Sequence, residues 1–124
     1  MRQAGIQNVY YVTADPDALQ AFYAQALGLD TRFADKGKWV QFAAAGRNFA
    51  LASPQEGGGA APGSACVVFE VDDLDGFARS VEEHGGTTGA RRDMGSHGRI
   101  VSCPDPAGNV FQLFARSRPA EAQR

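Results

Sequence analysis

The side chains in this chain that could do chemistry are few and scattered. There are two histidines, His84 and His97, and two cysteines, Cys66 and Cys103. His97 stands in a glycine-flanked stretch, Met94 to Gly98, and histidine is a residue type that can move a proton. A solvated loop histidine carries the same signature. Glu70 is the second candidate base. Cys66 could ligate a metal as a thiolate, but nothing beside it argues for a lowered pKa, and a lone cysteine ordinarily packs as a small apolar residue. The cysteines lack Cys-x-x-Cys spacing and are too few for a secreted disulfide framework, so both are expected to be free thiols. His84 closes a helical pattern, where it complements the helix C-terminus. Trp39 differs in kind, since a large aromatic with a polar edge is a stacking platform for a planar ligand.

What positions these residues is an internal repeat. Asn8-Val9-Tyr10-Tyr11-Val12-Thr13 runs to Asp15, and Cys66-Val67-Val68-Phe69-Glu70-Val71 runs to Asp73, an offset of 58. Gly46-Arg47-Asn48-Phe49-Ala50-Leu51 aligns with Gly108-Asn109-Val110-Phe111-Gln112-Leu113 at an offset of 62. Each copy reads as strand, helix and further strands, an α+β arrangement. In the first, Ile6 to Thr13 is a strand, Asp15 caps a helix with Pro16 at its first position, and Gly28 ends it. Strands follow at Leu29 to Ala34, Lys38 to Ala44 and Asn48 to Ala52. In the second, the strand from Cys66 leads to an Asp73-capped helix, then strands at Thr87 to Arg92, Arg99 to Cys103 and Asn109 to Ala115. The turn Asp105 to Asn109 has the composition of a strand connector. Module one is placed at residues 5–53 and module two at 64–116. The glycine-rich residues 54–63 between them read as a flexible linker, and 117–124 as a polar tail that frays.

At 124 residues with ordinary apolar content, the chain can bury a core as one domain, 1–124, without disulfides. Its net charge of -2 gives no electrostatic case for nucleic acid or an anionic membrane surface. No run approaches the ~20 apolar residues that cross a bilayer, and the first residues lack an apolar signal core, so a cytoplasmic location is expected.

One helix per module covers only one sheet face. Alternation turns Val9, Tyr11, Thr13, Val40, Phe42, Phe49 and Leu51 to the helix of module one, and Val67, Phe69, Val71, Ile100, Phe111 and Leu113 to that of module two. The opposite faces then carry Asn8, Tyr10, Trp39, Gln41, Asn48 and Ala50 in the first. In the second they carry Cys66, Val68, Glu70, Arg99, Val101, Cys103, Val110, Gln112 and Phe114. Aromatic and aliphatic residues mixed with a few polar groups suit a small-molecule cleft. The same faces could instead pack against each other or against a second subunit.

These residues resemble the vicinal oxygen chelate superfamily, which includes glyoxalase I, the extradiol dioxygenases and the bleomycin-resistance proteins. The likeness rests on the tandem units, on Ala21-Phe22-Tyr23 with Leu27-Gly28-Leu29, on Phe69 to Asp73, and on Asp105-Pro-Ala-Gly-Asn109 before Phe111-Gln112-Leu113. It implies two βαβββ modules whose curved sheets enclose a cleft, usually in a homodimer. In metalloenzymes of the family the ligands come from the first and last strands of each module, which here means Asn8, Ala50, Cys66 and Gln112. Alanine offers no donor, and the two amides are weak neutral ones. The resulting expectation is a binding protein with no metal, no cofactor and no catalytic residue, similar to the antibiotic-sequestering branch. Trp39, Tyr10 and Phe114 would stack on or enclose the ligand, and Asn8, Gln41, Cys66, Glu70, Arg99 and Gln112 would line or orient it. The alternatives are a metal-dependent lyase, isomerase or dioxygenase, a metal-free enzyme using Glu70 or His97 as base, and an interaction module with a vestigial cleft.

Overall fold

The computed structural model describes residues 2–117; of the tail expected to fray, everything after Ser117 lies outside the described residues. The elements in order are β1 (Gly5–Val12), α1 (Pro16–Leu27), β2 (Asp30–Asp35), β3 (Trp39–Ala44), β4 (Arg47–Ala52), β5 (Ala65–Glu70), α2 (Leu74–Glu83), β6 (Arg91–Asp93), β7 (Arg99–Pro104) and β8 (Val110–Ala115). A single 3-10 turn, Gly95–His97, precedes β7. The chain groups into two compact units, residues 8–66 and residues 2–7 with 67–117. Among the described residues no helix is long and apolar enough to cross a membrane.

In the first unit the strand order is β2-β3-β4-β1, with β1 and β4 parallel and the remaining pairs antiparallel. The α1 N-terminus forms where expected: Asp15 Oδ1 accepts from the Ala18 amide at 3.2 Å and Pro16 opens the helix. Gly28 ends it at φ 69°, a left-handed conformation that costs a residue with a Cβ. The helix covers Val40, Phe42 and Leu51, all fully buried, with Leu19, Tyr23, Leu29 and Phe49 packed around them. The Tyr23, Phe42 and Phe49 rings lie 5.3–6.1 Å apart, so this core is largely aromatic. Removing such side chains from water contributes roughly 1.5–3 kcal/mol each.

The glycine-rich stretch expected to be a flexible linker is fastened at both ends. Ser53 Oγ and Ser53 O accept from the Glu56 and Gly57 amides, and at the far end Gly63 and Val12, and Val12 and Ser64, are hydrogen bonded. Gly57 is buried, and a Cβ there would stand 2.8 Å from Val12 Cγ2. At this position glycine allows close approach over Tyr10 and Val12.

The second unit repeats the plan with strand order β5-β8-β7-β6, β5 and β8 parallel. Asp73 Oδ1 caps α2 by accepting from the Gly76 amide at 3.0 Å. The core under α2 is Val71, Leu74, Val101, Cys103, Leu113 and Ala115, joined by Phe69, Phe77, Val81 and Phe111. The strand expected from Thr87 to Arg92 is shorter, Arg91–Asp93. Thr87 and Gly89 still donate to Pro104 O and Ser102 O before it begins.

One facing assignment is corrected. Val101 pairs with Leu113, Arg99 with Ala115 and Cys103 with Phe111, so Arg99, Val101 and Cys103 lie on the α2 side while Ile100 and Ser102 face the other way. One residue more separates Val101 from Leu113 than separates Val40 from Leu51, its counterpart pair. A shift of one along a strand turns every side chain to the other face. Apolar residues at both parities of β7 give no alternation from which to phase it.

Candidate functional site

Five of the residues nominated from the sequence come together in the first unit, on the sheet face away from α1. The register aligns Tyr10 with Ala50, Ala50 with Gln41 and Ala52 with Trp39. Gln41 is the hub: its Oε1 accepts from Trp39 Nε1 at 3.1 Å and from Asn8 Nδ2 at 3.3 Å. Asn8 is buried, and its Oδ1 has no hydrogen-bond partner. Trp39 and Gln41 are half-buried. Tyr10 was expected to stack on the ligand, but it is 0 % exposed, edge-on to Trp39 at 5.0 Å between centroids and covered by Gly57. It packs against Trp39 on the same face. Cys66 is buried too, and burial pushes its thiol pKa up, with a hydrogen bond from Tyr10 opposing in part. It is therefore a neutral thiol at neutral pH, the behaviour of a packed cysteine.

The other nominated residues lie in the second unit and are differently occupied. Gln112 is buried and donates from Nε2 to Ser102 Oγ at 3.0 Å. Glu70 accepts from Arg116 Nε at 2.7 Å, and its pairing raises the Arg116 pKa further. Glu70 also borders a shallow pocket of about 270 Å³ with Arg2, Gln3, Val71 and Asp72. Phe114 is half-buried and shares its face with Glu70 and Ile100. Arg99 lies on the opposite face, as its pairing with Ala115 requires. His97 is exposed on the one-turn 3-10 helix, and His84 is exposed at the end of α2, where its ring donates from Nδ1 to Ser80 O at 2.8 Å.

Two residues that matter here were not nominated. Ser102, the partner of Gln112, was hidden by the phase of β7. Phe33 pairs with Gln41 and so stands on the Trp39 face; its only sequence signal is an aromatic in an otherwise polar edge strand.

The positions that the family resemblance assigns to metal ligands do not fit a divalent ion. A catalytic site of that kind wants about three imidazole, carboxylate or thiolate donors. Ala50 supplies none, Asn8 and Gln112 supply neutral amides, and the Cys66 thiol is held protonated by burial. Among the described residues no group of three His, Cys, Asp or Glu side chains could hold a metal ion.

The fold is shared with solved structures of several activities. Methylmalonyl-CoA epimerase from Mycobacterium tuberculosis is 19% identical, with a TM-score of 0.73 over 95% of this chain and 91% of that one. A glyoxalase/bleomycin resistance protein/dioxygenase superfamily member from Vibrio splendidus 12B01 is 14% identical, with a TM-score of 0.68 over 91% of this chain and 99% of that one. Homoprotocatechuate 2,3-dioxygenase from Brevibacterium fuscum is 19% identical, with a TM-score of 0.65 over 93% of this chain and 36% of that one. At such identities the likeness is one of fold, and one fold carries many chemistries. No curated protein matches the sequence. The family model described as a glyoxalase-like domain matches residues 8–114, and the chain belongs to that family, with the α+β glyoxalase/bleomycin-resistance fold.

Proposed function

We propose that the first unit binds a small, planar, partly polar molecule against Trp39 and Gln41, without a resident cation and by sequestration rather than turnover. The observation that carries this reading is the Asn8 carbonyl. Its Oδ1 is buried and accepts nothing, while the same side chain donates to Gln41. Leaving a buried acceptor unmatched costs about 1–3 kcal/mol, a cost that a ligand N–H or O–H at this position removes. The half-buried Trp39 beside it, braced by Tyr10 and held in orientation through Nε1, supplies a rigid aromatic surface. Neutral amides and a protonated thiol suit recognition by hydrogen bonding and shape better than the grip of a cation. Taking up an aromatic, antibiotic-like compound is the role such a site would serve.

Trp39 is the single tryptophan, so its emission reports this face alone. Titration with a panel of planar aromatics bearing N–H or O–H groups is expected to change that emission and raise Tm. By calorimetry, Trp39→Ala and Asn8→Leu should each weaken binding at least about ten-fold. Stoichiometric iron, manganese, nickel or zinc in protein prepared without an affinity tag would overturn the reading, as would unchanged affinity in Trp39→Ala.

A further inference from the structure

The pairing of β2 with β3 contains an irregularity that decides where Phe33 points. Thr31 lies opposite Phe42, and Phe33 lies opposite Gln41, so Arg32 is an extra residue with no partner of its own. Thr31 is on the α1 side, where its Oγ1 accepts from Gln20 Nε2 at 3.1 Å. In a regular strand Phe33, two residues on, would share that side and could join the Tyr23, Phe42 and Phe49 rings. The bulge turns it over instead, onto the face of Gln41 and Trp39, where it is 56% exposed. Both local terms oppose this placement: a ladder position is lost, and a large ring is left mostly in water. An occupant on the Gln41 face offsets both.

Three features of that face describe the occupant. Phe33 and Trp39 flank Gln41, one across the strand pair and one along it. Diagonal neighbours on an antiparallel pair lie about 7–8 Å apart. As diagonal neighbours on one face of the pair, the two aromatic side chains are placed to touch the same small planar molecule. Gln41 also links this gap to Asn8, whose Oδ1 lacks a donor. We infer that the bulge at Arg32 sets Phe33 as the second aromatic wall of the site, and that the ligand is a flat aromatic molecule that donates a hydrogen bond to Asn8 Oδ1. This rests on the binding reading above and adds a residue, a backbone device and a ligand class to it.

Benzimidazole is a suitable probe, with N-methylbenzimidazole as the analogue lacking the N–H. Binding to ¹⁵N-labelled full-length protein is read from the one tryptophan indole resonance and, for all variants, by calorimetry. Benzimidazole is expected to move the Trp39 indole signal, and N-methylbenzimidazole to bind at least about five-fold more weakly. Phe33→Ala should raise Kd by about 3–10-fold and Phe33→Tyr should restore it, since a stacked aromatic pair is worth that much. Deleting Arg32 should reproduce the Phe33→Ala loss. Benzimidazole affinity that falls in Trp39→Ala but is unchanged in Phe33→Ala would overturn this inference and leave the binding reading standing. Affinity indifferent to Trp39→Ala, or no response of wild-type protein at millimolar probe, would overturn both. If Phe33→Ala leaves affinity unchanged but turns a dimer into a monomer in sedimentation velocity, the occupant is a second copy of the chain and the inference fails.

Discussion

The two units are built on one plan and differ on one side. Toward their helices they match: each helix starts at an aspartate whose carboxylate accepts the amide three residues on, and each covers an apolar core. Away from the helices they part. In the second unit the buried Gln112 donates to Ser102 Oγ, and Glu70 is met by Arg116. In the first, Gln41 already accepts two donors and the Asn8 oxygen next to it accepts none. Covering a helix demands only apolar side chains of the right parity, so both copies keep that solution. The opposite face has no such uniform demand, and the unmet Asn8 oxygen there is the point at which the two units differ.

The largest effects test the side on which the units agree. Phe42→Ala should cost about 3–5 kcal/mol in urea denaturation, and Leu113→Ala about 2–5 kcal/mol, because both side chains are buried and a packed core relaxes only partly around the gap. A cost under about 1 kcal/mol for either would mean that its helix-facing side is not close-packed, and the equivalence of the units would break there.

The side on which they differ gives a pair of opposite signs. Asn8→Leu removes an unmatched carbonyl together with one long hydrogen bond to Gln41, so stability should be unchanged or rise by about 1–2 kcal/mol. Gln112→Leu removes the donor to Ser102 Oγ inside a buried site, so stability should fall by about 1–3 kcal/mol. Equal losses in both variants would show that the Asn8 oxygen is satisfied in the free protein, and the contrast between the faces would disappear.

Much of this was legible in the sequence because it depends on local chemistry or on period. The Asp15 and Asp73 caps, the glycine helix end at Gly28, and the helix-facing set of the first unit follow from spacing alone. The phase of β7 did not follow, since Ile100, Val101 and Cys103 are apolar at both parities and one extra residue upstream of Leu113 sets the register. The burial of Tyr10 depends on a glycine-rich stretch whose composition is that of a linker, and only the packing of Gly57 shows otherwise. Phe33 escaped notice because a bulge has no periodic signature; it is an interruption of one. The Gln41 hub was legible as a set of residues on one face, but the hydrogen that Asn8 lacks is a property of geometry.

The smallest effect concerns the hairpin turns that close the two units. The first turns through Ala45 at φ 51° and Gly46 at φ 85°, with no titratable group between its strands. The second is organised by Asp105, whose Oδ1 accepts from the Ala107 and Asn109 amides and whose Oδ2 accepts from Asn109 Nδ2. Those bonds, the Asn109 side chain first, hold the Asp105 carboxyl below its ordinary value of 3.8. A carboxyl lowered in the folded state contributes stability that is complete above the unfolded value and is lost as pH falls through the folded one. The Ala107 and Asn109 amide resonances should therefore titrate with a midpoint under 3.8, and the stability gap between wild type and Asp105→Ala should narrow below that pH. The amides of Gly46 and Arg47 should show no matching step, because nothing at their turn takes up a proton. A midpoint at or above 3.8 would mean that the carboxylate is not holding the second turn, and that the two hairpins close by backbone conformation alike.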